Sequence, residues 1–357
     1  MLQKKNIIIV HATCLGACSF VRQHAFTVLA ECGLAGDFEI VRSREPINDD
    51  YILAHTAAVW ILRPFLEEHA AIIEHYRRRR GKHKFRIVAD YDDLVWDIKG
   101  RNMMPPYNPQ PVDTVKLGAT IEKFAGALDT VIVSTEWLRV CWLMRFGEAC
   151  KDVQVVWNAV PGYIWGHNRR RVKKLPKRLK VLYGGSICHH AGDDPGDFEP
   201  HWLEWLKRDN VEFHIFGTEV PKWLECRNIA LHEPVASWVF PSTVREIGAD
   251  LYIAPLQDNA FNRAKSNLKL LEASALGIPL LGSYWEKYCP YAEAAVRIPA
   301  NADPDNLTTQ LRDPKVYNAV LDAQDAVMEA GGYWMESRPY RDRLLSAILG
   351  PLVSIEN

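Results

Sequence analysis

Residues Ala249 to Ser283 read ADLYIAPLQDNAFNRAKSNLKLLEASALGIPLLGS. Leu251 to Leu256 is a short apolar run closed by Pro255 and followed by the polar Gln257, Asp258 and Asn259, which predicts a buried parallel strand running into a loop. Leu268 to Leu276 then propagates a helix that Ser266 or Asn262 can cap. Gly277 and Pro279 end it before a second apolar run, Ile278 to Leu281. The predicted unit is β-loop-α-β, the building block of an α/β fold.

At 3.6 residues per turn, Lys265, Lys269 and Glu272 fall within roughly 60° of one another if the helix includes Lys265, while Leu268, Leu271 and Ala275 form a separate apolar stripe. One face packs and the other can hold a ligand. The first turn of a helix has orphan N–H groups and the positive end of the dipole, so Lys265, Ser266 and Asn267 lie where a phosphate is stabilised. Glu272, further along, can accept hydrogen bonds from the vicinal hydroxyls of a sugar. The same spacing also allows two solvated lysines, with Glu272 paired to one of them.

The run NRAKSNLKLLEASALGIP resembles the donor-binding segment of the group-1 glycosyltransferases, two-domain GT-B enzymes that use nucleotide sugars, in particular bacterial and phage members. The resemblance implies that Glu272 holds the donor ribose and that Lys265 to Asn267 lie by the diphosphate. Ala264 stands where the wider family often carries an earlier glutamate. That departure keeps open a non-catalytic nucleotide- or DNA-binding protein on the same scaffold. The segment Tyr183 to Ser186 with ICHHAGD after it resembles the same enzymes' glycine loop, placing Gly185 and Ser186 at the donor and His189 or His190 with Asp193 nearby. ALHEPV resembles the loop that reads the nucleobase, through His232, Glu233 and Val235. No metal and no further cofactor is implied beyond the nucleotide-diphosphate sugar, expected to be a UDP-sugar.

A chain of 357 residues suits two domains, each with its own core. Its 43 basic and 44 acidic residues give a net charge of -1, and with 48% hydrophobic residues it reads as a soluble globular protein. No apolar run approaches the ~18 residues of a membrane span. The opening MLQKKNIIIVHA lacks the length and cleavage site of a signal peptide and reads as a first strand, so the expected location is cytoplasmic. The eight cysteines show no C-x-x-C pair and read as reduced thiols. Cys14 and Cys18 with His11 and His24 are a weak metal candidate, more simply explained by packing.

The first half alternates strand and helix signals. Asn6 to Val10 is a strand ending at His11, where His11, Ser19 and Arg22 would sit at the carboxyl edge of the sheet, the usual place for a ligand. Short strands follow at Phe38 to Val41 and Ala57 to Leu62. Glu67 to Arg80 reads as a helix, and Phe85 to Ala89 as a strand that delivers Asp90, Asp92 and Asp93. Three close carboxylates cannot all ionise cheaply, so a raised pKa or a cationic partner is expected among them. One of them, or His11, is the candidate base for an acceptor hydroxyl; a helix cap with two solvated acids is the alternative. Asn102 to Pro111 reads as a loop that could cover an acceptor.

Two runs are strongly basic: Arg77, Arg78, Arg79 and Arg80 on a helix, and Arg169, Arg170 and Arg171 in HNRRRVKKLPKRLK. Solvated segments explain them, as does a polyanion, either double-stranded DNA or an anionic membrane surface carrying a lipid acceptor. The sequence therefore predicts an α/β protein of the GT-B class, with two Rossmann-like domains facing across a cleft and a C-terminal helix crossing back. The expected domains are 1–168 on the acceptor side, 169–335 binding the nucleotide sugar, and 336–357 as the returning helix. For the acceptor, a hydroxymethylated base in phage DNA is the first expectation, and a lipid-linked or cell-surface polysaccharide the alternative.

Overall fold

A computed structural model describes residues 6–11, 20–33, 38–97, 102–103, 112–166, 175–186, 198, 200–217, 220, 222–224, 228–299 and 304–350. The chain divides into two compact units. The first comprises Met1–Ala159, Ala264–Ser266 and Met335–Asn357, and the second Val160–Arg263 and Asn267–Trp334.

In the first unit, β1 (Ile7–His11), α1 (Ala25–Glu31), β2 (Glu39–Arg42), α2 (Asp50–His55), β3 (Thr56–Leu62), α3 (Glu67–His83), β4 (Arg86–Tyr91), α4 (Thr114–Ala125), β5 (Thr130–Val133), α5 (Glu136–Phe146) and β6 (Val153–Val155) follow in order. All six strands run parallel in the order β2-β1-β3-β4-β5-β6. Strands covered on both faces need continuous apolar runs, and every residue of β1 and β5 is buried. The helix α3 carries Glu67 and Glu68 in its first turn and Arg80, Lys82 and His83 in its last, charges that match its dipole at both ends. It runs three residues past Arg80, because Lys84 adopts the left-handed conformation (φ 55°) that closes it.

The second unit holds α6 (Gly162–Trp165), β7 (Leu179–Ser186), α7 (Pro200–Leu206), β8 (Val211–Phe216), β9 (Ile229–His232), α8 (Phe240–Ile247), β10 (Leu251–Ala254), α9 (Ala260–Arg263), α10 (Leu268–Leu276), β11 (Leu280–Tyr284), β12 (Val296–Pro299), α11 (Pro304–Leu311) and α12 (Pro314–Gly331). Its six strands are also parallel, in the order β9-β8-β7-β10-β11-β12. The order reverses between β7 and β10. In open α/β sheets the crevice at the carboxyl ends of such a strand pair is where ligands bind. One side of the sheet packs on Trp202, Trp205 and Phe213, the other on Leu270, Leu271 and Leu280. The last helix, α13 (Arg338–Leu349), belongs to the first unit and packs against β3, β4 and β5 through the buried Tyr340, Leu344 and Ile348.

The helix after β10 differs from the sequence expectation. It begins at Leu268, with Asn267 as its N-terminal residue and no side-chain cap, while Ala260–Arg263 forms a separate turn. Lys265 and Ser266 therefore precede the helix, and only Lys269 and Glu272 share a helical face. Its end is as expected: Gly277 takes φ 65° and closes the last turn. Strands β9 and β12 have no strong counterpart in the sequence pattern, since four-residue edge strands carry too few positions for a clear period. Cys14, Cys18, Ser19, Arg169, Arg170, Arg171, His189, His190, Asp193, most of the 102–111 loop and the expected boundary at 168 lie outside the described residues.

Candidate functional site

At the switch point of the second sheet, β7 ends in Tyr183, Gly184 and Gly185, and β10 places Tyr252 beside it, in register with Leu182. A Cβ on Gly184 would overlap the Tyr252 hydroxyl, and one on Gly185 would meet the Tyr183 ring 2.6 Å away, so both positions need a bare backbone. From α10, Lys269 Nζ donates to the Gly184 carbonyl (2.8 Å) and to Glu272 Oε2 (2.8 Å). Tyr252 donates its hydroxyl proton to the same Oε2 (2.5 Å). Burial first, and the Glu272 charge second, push the Tyr252 pKa well above its usual 10, so the phenol stays a donor. Glu272 is 6% exposed, yet both partners meet one oxygen; among the described residues none bonds Oε1. The sequence allowed either a lysine partner or a ligand role for Glu272, and the helix gives it the lysine while leaving one oxygen unengaged. Tyr252 was not legible as part of this group. It lies in the strand pattern like any core residue, and the only hint is a phenol opposite a glycine.

The expected nucleobase residues have varied settings. His232 is half-buried, stacked on His214 with ring centroids 5.2 Å apart and its Nε2 2.9 Å from His214 Nδ1. Glu212 lies 3.1 Å from the other nitrogen of His214. Burial lowers the His214 pKa to about 4 and lowers that of His232. Glu233 is exposed, and Val235 packs on the core around Phe216. Ser186 closes β7 in register with Phe216.

The carboxylates of the first unit are not the open cluster that the sequence suggested. Asp90 is fully buried. It accepts from Arg22 Nε (3.0 Å) and Nη2 (2.8 Å) and from Trp60 Nε1 (3.1 Å). Arg22, itself buried, also donates to the Val156 carbonyl (2.6 Å) and to Asn158 Oδ1 (3.1 Å). Burial raises the Asp90 pKa, and Arg22 opposes that rise. With no exposed surface, Asp90 cannot receive a proton from an acceptor, which removes it from the candidate bases. Arg22 likewise sits inside the fold and not at a ligand edge. Arg63 donates to both Asp92 and Asp93, the latter at 2.6 Å. Asp92 is buried and Asp93 is 23% exposed, the most open of the three.

His11 is also corrected. It is 2% exposed, with Nε2 2.8 Å from the Tyr76 hydroxyl, and burial lowers its pKa to about 4. It is a neutral core imidazole. Residues 264–266, which belong to this unit, are tied down locally. Thr135 Oγ1 donates to the Ala264 carbonyl (3.1 Å), Lys265 Nζ lies 3.9 Å from Asp93 Oδ1, and Asn158 Nδ2 donates to Ser266 Oγ (2.7 Å).

The arginine run on α3 is neutralised where it stands. Arg77 and Arg78 bond Glu74, Arg79 bonds Asp50, and Arg80 bonds Asp129. Lys82 and His83 also meet Asp50. The expected free basic face is therefore absent from this helix: acids contributed from Asp50 and Asp129, distant in sequence, meet it. Among the described residues there is no group of three or more His, Cys, Asp or Glu side chains that could hold a metal ion, and no helix long and apolar enough to cross a membrane.

No family model matches the sequence, and no curated protein matches it. Solved structures do match. The chain is similar to HepE of Anabaena, solved in complex with UDP, with a TM-score of 0.55 at 9% identity over 96% of this chain and 98% of that one. It is similar to a glycosyltransferase from Rickettsia africae, with a TM-score of 0.59 at 9% identity over 97% of this chain and 99% of that one. This is the GT-B glycosyltransferase fold. At such identity the likeness is one of backbone architecture, and the GT-B fold by itself does not set the chemistry of a site. The two parallel sheets and the C-terminal helix that joins the first unit are the features of this chain that it covers.

Proposed function

We propose that this chain is a nucleotide-sugar-dependent glycosyltransferase, with the second unit gripping the donor nucleotide. The observation that carries the reading is the carboxylate of Glu272 at the β7/β10 switch point, buried, held by Lys269 and Tyr252 through one oxygen and without a protein partner on the other. A carboxylate so placed suits a ribose diol. The bare backbone of Gly184 and Gly185 suits close approach of a ligand, with Ser186 next to them. Lys265, Ser266 and Asn267, the last three residues before α10, are assigned to the diphosphate, whose departing negative charge they would stabilise. Lys269 adds positive charge beside the ribose. His232, Glu233 and Val235 remain the proposed nucleobase contacts. UDP is the first nucleotide to test, because HepE was solved with it.

For proton removal from the acceptor hydroxyl, Asp93 is the remaining candidate, with Asp92 behind it on the shared Arg63. The acceptor is proposed only as a hydroxyl group. The pairing of Arg77 to Arg80 with acids takes away the structural support for DNA phosphates on α3, and a glycan or lipid-linked acceptor needs no such face.

The test is a panel of nucleotide diphosphates and nucleotide sugars, read by the rise in melting temperature, followed by mass detection of sugar transfer to glycan, lipid-linked and hydroxymethylated-DNA acceptors. A nucleotide that stabilises wild type and loses about 1 to 3 kcal/mol of binding on Glu272→Ala supports the reading, since hydrogen bonds to charged groups are worth about that much. If no nucleotide stabilises the chain, the enzyme reading fails. Transfer to hydroxymethylated DNA alone would restore that acceptor.

A further inference from the structure

The geometry points to Tyr252 as a positioning residue that turns Glu272 into a one-sided acceptor for a ribose diol, so that the chain selects ribonucleotides through a phenol that never touches them. This rests on the nucleotide reading of Glu272 above and adds the device that aims it. Tyr252 is wholly buried in the middle of a sheet, a place where a hydroxyl is costly unless it is bonded. Its bond goes to a carboxylate on the neighbouring helix, 20 residues further along the chain.

The bond decides which carboxylate oxygen is left over. Lys269 Nζ is anchored by the Gly184 carbonyl and donates to Oε2, and Tyr252 donates to Oε2 as well. A carboxylate held at one oxygen by a single donor can swing. Held there by two donors from different elements, it has one orientation, with Oε1 directed away from both. A fixed acceptor loses less freedom when a ligand hydroxyl binds it, which is the advantage of a preorganised site. The Tyr252 hydroxyl is itself fixed in place, because it occupies the space where a side chain at residue 184 would begin. Gly184 therefore supplies two things: a carbonyl for Lys269 and the room for the phenol.

The test measures binding of UDP and of 2′,3′-dideoxy-UDP, which lacks the diol, to the full chain as wild type, Tyr252→Phe, Glu272→Gln and the double variant. Tyr252→Phe should weaken UDP about tenfold, the scale of losing one hydrogen bond to a charged group. It should leave the dideoxy nucleotide unchanged and add nothing in the Glu272→Gln background. Gly184→Ala, which displaces the phenol while keeping both side chains, should give the same pattern and serves if Tyr252→Phe does not fold. A merely structural role would weaken both nucleotides alike, and that result, or undiminished UDP binding, overturns the proposal. The nucleotide reading fails differently: wild type then binds neither nucleotide, or Glu272→Gln binds UDP as wild type does, and the proposal falls with it.

Discussion

Arg22–Asp90 in the first unit and Lys269–Glu272 in the second are both ion pairs formed beside a parallel sheet, and they differ in what remains unbonded. Arg22 and Asp90 are at most 1% exposed, and the carboxylate also takes a bond from Trp60. Lys269 is 27% exposed, and Glu272 keeps an oxygen without a partner among the described residues. A saturated pair holds a fold together and has no capacity for a ligand. An unsaturated one, buried enough to strengthen a hydrogen bond and open enough to be reached, has that capacity. The arginines on α3 stand at the far end of the series, paired with acids in full solvent, where such contacts contribute little.

The largest expected effect breaks the saturated pair. Arg22→Met leaves Asp90 buried without its counter-ion and should cost about 3 to 5 kcal/mol of stability by denaturant unfolding. Lys269→Met, at a more exposed pair, should cost about 1 kcal/mol and act chiefly on nucleotide binding. Equal losses for the two would erase the distinction between them.

Acid sharpens the comparison next. His11 and His69 in the first unit and His214 in the second have pKa values lowered to about 4 by burial, below the ordinary 6.5 that they regain on unfolding. Between those values the unfolded chain binds more protons than the native one, so stability is full above pH 6.5 and falls as the pH drops toward 4. The midpoint of thermal unfolding should follow that window, and His11→Asn should flatten the decline. A midpoint indifferent to pH across it would mean that these imidazoles are not held neutral. The smallest effect belongs to α3: Arg77→Ala with Arg78→Ala should leave the melting temperature unmoved and DNA retention on a salt gradient unchanged. A clear loss of DNA binding would show that the acids do not neutralise the run.

Much of this chain was legible before folding because the relevant geometry is local. The end of α10 at Gly277 and the shared face of Lys269 and Glu272 depend only on helical period and backbone sterics. The start of the same helix was misplaced by two residues, since several polar residues in a row offer equivalent caps. That small shift takes Lys265 off the face of Glu272. Asp90 read as an exposed acid because its partner, Arg22, lies 68 residues earlier. Arg63 joins Asp92 and Asp93 across 29 and 30 residues, and Asp50 meets Arg79 across 29.

Runs of β-branched residues, helix periods and turn glycines by themselves determined two α/β units with parallel strands and a polar, charge-bearing helix after β10. They act over one or two turns of chain, where spacing in sequence is spacing in space. Which carboxylates became saturated was decided only by the tertiary structure. Strand order brings Arg22 to Asp90 and Tyr252 to Glu272, and whether a buried charge finds one donor or several depends on neighbours that no local pattern specifies.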